Sequence, residues 1–237
     1  MPFHGSVTVI ASPRPRVGKT LLTRLLTDFH VQEGHPIAAF DLNVGNGTLA
    51  QFLPEQTIVS AIGDVRGQMA LFDRLIADDG AVKVVDLGHE SFDSFFALTQ
   101  QIGFTDEALK RAIAPVILYI ITPDATAVEA YHGLRRRFPR VALTPVHNEI
   151  FGSAQHRNKY RFAGSGEVML RLPALAPGLR KFIETPPFSF AGPARADLPT
   201  ELANELQRWL RRAFREFREF DLRVLLADLQ SSIRLPS

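Results

Sequence analysis

The chain contains no cysteine among its 237 residues. Disulfide bonds, a thiol nucleophile and thiolate metal sites are therefore excluded. Long apolar runs are also missing, because the longest, at residues 116–121, has six residues and a membrane-spanning helix needs about 20. We therefore expect no integral membrane contact, and the lack of a leader-like pattern at the N-terminus predicts a cytoplasmic protein.

A strong charge of one sign is missing as well. The 27 basic and 25 acidic side chains leave a net charge of +2, which is too small for a chain that binds nucleic acid over its whole surface. Residues 134–161, however, contain seven basic side chains and only one acidic side chain. The basic side chains are Arg135, Arg136, Arg137, Arg140, Arg157, Lys159 and Arg161. This segment predicts either a contact with DNA phosphates or a solvated surface whose arginines meet acids elsewhere.

The first two-thirds of the chain alternate short apolar runs with longer helix-compatible stretches. Strands are predicted at residues 6–11, 37–41, 82–86, 116–121 and 141–146, and helices at 19–33, 65–76 and 126–138. Several strands are apolar throughout, as expected when both faces of a sheet are covered. The pattern predicts an α/β fold in three layers, with a mostly parallel sheet between two layers of helices.

The last third of the chain differs in composition. Residues 151–197 are rich in glycine and proline, which predicts an irregular segment, and a helical segment follows at 198–230, with Thr200 as its cap. Trp209 and the neighbouring phenylalanines are predicted to pack in the core. We expect residues 1–237 to form one domain.

A Val17-Gly18-Lys19-Thr20 sequence lies between the first predicted strand and the first predicted helix. Backbone N–H groups at such a helix start bind phosphate oxygens, the lysine neutralises them, and the threonine hydroxyl reaches Mg²⁺. The nucleotide contacts are predicted at Arg16, Val17, Gly18, Lys19, Thr20 and Leu21. The full phosphate-loop pattern is not met, because Pro13 stands where its first glycine belongs.

Polar side chains end three other predicted strands. Asp41 and Asp86 each close an apolar strand, and Asn148 follows the last one. Ligands of open α/β sheets lie beyond the carboxyl ends of the strands, so these side chains are predicted to share a site with Lys19. Asp86 is expected to hold a water molecule of the Mg²⁺ coordination shell, and Asn148 is expected to form a hydrogen bond with an adenine. Strand-end caps and a turn asparagine are the structural alternatives.

These motifs together resemble the ParA/MinD group of deviant Walker-A ATPases. They read RPRVGKT at 14–20, DLN at 41–43, VVD at 84–86 and HNE at 147–149. The resemblance covers about residues 5–150 and the helix after residue 198. It implies a P-loop NTPase fold, ATP and Mg²⁺ as ligands, an ATP-linked homodimer, Asp41 as the acid that positions the attacking water, and a catalytic role for Lys19.

The loop departs from the family pattern Lys-Gly-Gly-Val-Gly-Lys-Thr at three positions. Arg14 replaces the first lysine, which in the family reaches the partner's nucleotide, and a cross-dimer catalytic contact is therefore expected of Arg14. Pro15 and Arg16 replace two glycines, and Asn43 replaces a second carboxylate. Proline removes an N–H donor and a Cβ at position 16 limits the approach of phosphate, so these changes predict slow or absent hydrolysis.

Shorter motifs resemble the TraL/MobD-type ATPases of conjugative plasmid transfer. They read DLNVGNGTL at 41–49, LFDRLI at 71–76, DLGHESF at 86–92 and NEIFG at 148–152. Three hypotheses follow: an ATP-dependent switch acting on DNA or an unknown protein partner, a degenerate scaffold that works through its surfaces, and a DNA-binding module using Arg135, Arg136, Arg137 and Arg140. For His89 and Glu90 the sequence leaves two predictions open: they line the nucleotide site, or they belong to an exposed loop.

Overall fold

The computed structural model describes residues 5–43, 48–151, 169–192 and 198–233, with side chains up to residue 223. Seven strands of these described ranges form one sheet: β1 (Ser6–Ala11), β2 (Ile37–Asp41), β3 (Thr57–Val59), β4 (Val82–Asp86), β5 (Ala114–Ile120), β6 (Ala142–Asn148) and β7 (Leu170–Leu172). Their order across the sheet is β3-β2-β4-β1-β5-β6-β7, and every pair is parallel. All the carboxyl ends therefore lie on one edge.

Eight α-helices connect and cover these strands within the described residues. They are α1 (Lys19–Gln32), α2 (Thr48–Phe52), α3 (Val65–Leu75), α4 (Phe92–Gln101), α5 (Phe104–Lys110), α6 (Ala125–Arg137), α7 (Pro177–Ile183) and α8 (Thr200–Ile233). No helix in this part of the chain is long and apolar enough to cross a bilayer.

Alternate side chains of the central strands pack into two separate cores. Val7 and Val9 of β1 face one core, which α3, α4, α5 and α6 complete, while Ile10 faces the other, built by α1, α7 and α8. The same alternation divides β4, where Val84 and Val85 point to opposite cores. The predicted three-layer α/β architecture is confirmed, because burial on both faces gives the apolar strands seen in the sequence.

The predicted strands and helices lie close to the observed ones. The strands at 6–11, 37–41 and 82–86 match β1, β2 and β4, and the predicted helices at 19–33, 65–76 and 126–138 match α1, α3 and α6 within one residue at each end. β3 and the helices α2, α4 and α5 were not predicted. The segment predicted as irregular contains β7 and α7 in its described part. Their side chains Leu170, Leu172, Leu179 and Ile183 are buried in the same core as α8, and this packing stabilises the two short elements.

The long helix α8 is part of this core. Trp209, Phe214 and Phe217 are buried against α1 and the sheet, as predicted for Trp209 and its neighbours. The Trp209 indole N–H also donates to the Pro173 carbonyl at 3.0 Å. The last helix is therefore joined to the site-bearing sheet by the segment that follows β7.

Candidate nucleotide site

The site residues converge at the carboxyl edge of the sheet. β1 is the central strand, and the loop that follows it, residues 12–18, leads directly into α1. Asp41 and Asp86 end adjacent strands and lie opposite each other in register. Asn148 ends β6 on the same edge. The fold therefore brings together the side chains that the sequence predicted to share a site.

Gly18 gives the loop its final turn. It lies in the left-handed region with φ of 97° at the N-cap of α1, and no side chain caps this helix end. Arg16 is also left-handed, with φ of 57°, a conformation that costs a non-glycine residue about 1–2 kcal/mol. The Pro15 and Arg16 residues are exposed, so they do not pack into the loop that they form. The backbone N–H groups of the first turn of α1, which have no partner within an α-helix, remain the phosphate-binding feature.

Lys19 lies across this loop. Its Nζ donates to the Arg14 carbonyl oxygen at 2.8 Å, and the residue is only 8% exposed. Burial lowers the pKa of Lys19, and the nearby Asp86 carboxylate opposes that shift. The amine is thus held inside the loop by a backbone acceptor that a phosphate oxygen can replace.

Thr20 and Asp86 form the centre of the site. The Thr20 hydroxyl donates to Asp86 Oδ2 at 2.7 Å, and Asn43 Nδ2 donates to the same oxygen at 3.0 Å. Asp86 Oδ1 is buried and has no hydrogen-bond partner among the residues that the structure describes. Burial raises the pKa of Asp86 to about 6, and the neighbouring Asp41 charge acts in the same direction. The hydrogen bond from Thr20 opposes this shift.

This donor set fits a magnesium ion. A buried carboxylate oxygen without a partner is costly unless a ligand completes its bonding, and a hydroxyl and a carboxylate are hard oxygen donors. No group of three or more His, Cys, Asp or Glu side chains is placed to hold a metal in the described part of the chain. A Mg²⁺ ion here would therefore be held by Thr20, Asp86, waters and the phosphates of its ligand, which is its usual mode.

Asp41 is fully hydrogen-bonded by the protein. Its Oδ2 accepts from the backbone N–H groups of Leu49 and Ala50 at 2.9 and 3.2 Å, at the start of α2. Its Oδ1 accepts from the Asn43 backbone N–H and from Asn43 Nδ2 at 3.0 and 2.7 Å. The residue has no exposed surface. Asp41 thus binds the start of α2 to the site, a role that the strand-end pattern did not predict.

Arg14 is held within its own chain. Its guanidinium donates to Asp124 Oδ1 through Nη2 at 2.6 Å and Nε at 3.0 Å. The same oxygen caps α6 by accepting from Ala127 N, while Asp124 Oδ2 accepts from the Thr122 hydroxyl. Although partial burial opposes it, the hydrogen bond from Arg14 lowers the pKa of Asp124 to about 2. Asp124 was missed by the sequence reasoning, although an aspartate before a predicted helix is a typical cap signal.

Asn148 contacts the loop itself. Its Nδ2 donates to the Val17 carbonyl oxygen at 3.0 Å, and its Oδ1 accepts from the Ile150 backbone N–H at 3.2 Å. The residue is 6% exposed. A Cβ on Gly18 would come within 2.7 Å of Asn148 Nδ2, so the glycine is needed for this close approach as well as for its φ. The predicted contact with adenine stays a prediction.

The predicted DNA-binding arginines lie away from the phosphate loop, at the C-terminal end of α6. Arg135, Arg136, Arg137 and Arg140 are exposed. Arg137 donates to the Gln100 side chain at 3.0 Å, and Arg140 forms an ion pair with Asp106 at the same distance. The basic residues Arg157, Lys159 and Arg161 lie outside the described residues. DNA binding therefore stays a prediction, and the pairing of arginines with nearby polar groups agrees with the solvated alternative.

His89 and Glu90 are both exposed just before α4, whereas Phe92, Phe95 and Phe96 are buried in the core.

Comparison with solved structures identifies the fold. The signal recognition particle 54 kDa protein of Aeropyrum pernix, in complex with GDP, matches with a TM-score of 0.52 and 12% identity, over 90% of this chain and 50% of that chain. The present chain has a P-loop NTPase fold. This fold accounts for the loop between the central strand and α1.

Two other similar structures are bacterial. MinD of Aquifex aeolicus has a TM-score of 0.49 and 15% identity, over 86% of this chain and 96% of that chain. A putative plasmid partition protein of Borrelia burgdorferi, bound to AMPPNP, has a TM-score of 0.48 and 11% identity, over 90% of this chain and 99% of that chain. No protein-family model and no curated protein matches the sequence.

Proposed function

We propose that the chain is a Mg·ATP-binding switch protein of the ParA/MinD type. The observation that carries the proposal is the Thr20 hydroxyl, which donates to a buried Asp86 carboxylate beside the N-terminus of α1. The second oxygen of that carboxylate has no partner within the described part of the chain. A metal–phosphate ligand satisfies that oxygen and the free N–H groups of the helix at the same time. The presence of GDP in the complex of similar fold supports a nucleotide as the first ligand class to test.

The residues of the loop have separable roles in this proposal. Backbone N–H groups from Arg16 to Leu21 bind phosphate oxygens, and Lys19 exchanges the Arg14 carbonyl for a phosphate oxygen. Thr20 and Asp86 hold the metal, which supplies neutralisation of the β- and γ-phosphate charge. Asn43 Nδ2 donates to Asp41 Oδ1 and to Asp86 Oδ2 and so links the two carboxylates in their present orientation.

We infer that hydrolysis is slow. Asp41 must release at least one of its four backbone and side-chain donors before it can position a water molecule. Pro15 lacks an N–H donor for the phosphates. ATP then acts mainly by selecting a dimer, in which Arg14 leaves Asp124 and contacts the nucleotide of the partner.

The dimer is proposed to act on DNA or on a protein partner. The motifs shared with TraL/MobD-type ATPases support a role beside a plasmid transfer or partition complex. Loss of DNA affinity when Arg135, Arg136 and Arg137 are replaced by alanine, with a steep dependence on salt, would support the DNA target.

Titration calorimetry with Mg·ATP tests the proposal. We expect heat and a thermal shift for the wild type, loss of both for Lys19→Ala, and loss of the magnesium dependence for Thr20→Val. Lys110→Ala removes an exposed lysine from α5 and is the matched control, which should bind as the wild type does. A wild-type protein that gives neither heat nor a thermal shift with Mg·ATP would contradict the proposal.

A scaffold of the same fold that binds no nucleotide is the second candidate. It is favoured by the way the loop closes on itself, with Lys19 bonded to the Arg14 carbonyl and the Arg14 side chain bonded to Asp124. Under this alternative, wild-type and Lys19→Ala proteins each melt at a temperature that Mg·ATP does not change.

A further inference from the structure

Asn148 forms a buried polar contact with the phosphate loop from outside the segment of the loop. Its side chain crosses from the end of β6 to the loop, 131 residues away in sequence, and donates to the Val17 carbonyl at 3.0 Å. The other end of the same amide accepts from Ile150 N at 3.2 Å, which fixes the amide plane. The residue is only 6% exposed, so both contacts are shielded from water.

This contact determines how one peptide group of the loop is turned. A trans peptide is planar, and its C=O and N–H point in opposite directions. Because the Val17 carbonyl is held toward Asn148, the N–H of Gly18 points away from Asn148. If the carbonyl turned the other way, an oxygen with partial negative charge would face the phosphates in place of a donor.

The close approach of Asn148 to Gly18 supports this orientation of the peptide group between Val17 and Gly18. A Cβ at position 18 would lie 2.7 Å from Asn148 Nδ2, which is closer than real Cβ contacts allow. The left-handed φ of 97° and the absence of a side chain therefore both serve the same close approach.

We propose that Asn148 is a positioning residue for the phosphate loop, which it holds in the phosphate-binding conformation through the Val17 carbonyl, and that it is not the residue that selects the base. The inference rests on the proposed nucleotide binding. It predicts that Asn148 affects the binding of any polyphosphate, with or without a base.

The binding of tripolyphosphate and of ATP, each with Mg²⁺, separates the two roles. In Asn148→Ala the donor is lost and the buried Val17 carbonyl is left without its partner, so we expect both affinities to fall by the same factor, about tenfold to a hundredfold. Asn148→Asp should show the same pattern with a larger loss, because a carboxylate faces the Val17 carbonyl. Asn204→Asp makes the same isosteric change at an exposed position on α8 and should bind both ligands as the wild type does.

Loss of ATP affinity with unchanged tripolyphosphate affinity would show that Asn148 reads the base, and would overturn the inference. Unchanged affinity for both ligands would overturn it as well. The measurement is made well below the melting temperature, where a residue that only stabilises the fold leaves the affinities of the folded protein unchanged.

Hydrogen exchange of the ligand-free protein gives a readout that does not depend on nucleotide binding. We expect the amides of residues 16–20 to exchange faster in Asn148→Ala, while those of α6 keep the wild-type rate. Equal exchange in the loop would overturn the positioning role. If the wild type binds neither ligand, the proposed function fails, and this exchange pattern still decides whether Asn148 holds the loop.

Discussion

Among the single residues of this protein, buried polar groups define the site more sharply than exposed ones. In the described ranges of the chain, one Asp86 oxygen has no hydrogen-bond partner, while both Asp41 oxygens accept hydrogen bonds. The two acids end neighbouring strands and are equally buried, so their difference arises only from what contacts them. The oxygen of Asp86 that lacks a partner favours Asp86 as a metal ligand, whereas the fully hydrogen-bonded carboxylate of Asp41 favours a structural role for Asp41.

His30 provides a prediction at the same scale. Burial, with a smaller contribution from His35, lowers the pKa of His30 to about 4, against about 6.5 in an unfolded chain. The neutral imidazole therefore contributes stability above pH 6.5, which is lost as the pH falls from 6.5 toward 4. The shift corresponds to at most about 3 kcal/mol in the free energy of unfolding.

Urea unfolding of the wild type and of His30→Gln between pH 7 and pH 4 measures this contribution. Asp86 and Asp221, whose pKa values are raised to about 6, change stability in the opposite direction, so the difference between the two proteins is the quantity to follow. His89→Gln, a change at an exposed position, should keep the wild-type dependence. A parallel pH dependence in His30→Gln and the wild type would contradict the prediction.

At the scale of elements, the phosphate loop is tied to α6 as well as to β6. Asp124 caps α6 and holds the Arg14 side chain with the same oxygen. Arg14 must leave this contact in order to reach a partner subunit, as the proposed dimer requires. The loop and α6 are thus expected to respond together when ATP selects the dimer.

Asp124→Asn tests this coupling. The amide oxygen still caps α6, but the charge that holds Arg14 is lost, so we expect the ATP-dependent dimer to form about two- to fivefold more readily, as suits a partly exposed ion pair worth up to about 1 kcal/mol. Sedimentation velocity with Mg·ATP measures the dimer. Asp106→Asn, which breaks the exposed pair with Arg140, is the control and should leave dimerisation unchanged. Dimerisation of Asp124→Asn at or below the wild-type level would argue against release of Arg14.

For the whole molecule, the two cores are joined through one sheet, and α8 belongs to the core that also holds α1. Arg218 of α8 forms an ion pair with Glu33 directly after α1 at 2.6 Å, and Phe217 contacts the Phe29 ring at 5.5 Å between centroids. These contacts favour a single folding unit over a separate C-terminal helical segment.

Trp209 is the only tryptophan of the chain, so its fluorescence reports on α8. We expect the urea transition seen by this fluorescence to coincide with the one seen by far-ultraviolet circular dichroism, because a shared core unfolds cooperatively. Phe217→Ala should lower the free energy of unfolding by about 3–5 kcal/mol and shift both transitions together. Arg215→Ala, on the exposed side of α8, should change it by about 0.5 kcal/mol or less. Separate transitions for the two signals would show that α8 is not part of the same unit.

The sequence by itself determined the layers of the fold and the edge on which the site lies. Buried strands are apolar throughout, and the polar residues Asp41, Asp86 and Asn148 stand where those strands end, so local pattern was enough. The short elements β3, β7 and α7 escaped prediction because three to seven residues carry too little periodicity to be distinguished from loops.

Only the tertiary structure decided what each polar side chain contacts. That Asp41 caps α2, that Asp124 holds Arg14 and that Asn148 holds the Val17 carbonyl depend on distances between residues 8 to 131 positions apart in the chain. Such contacts are set by how the strands and helices pack, and hydrogen bonds act only over about 3 Å, so no local pattern of residue types specifies them.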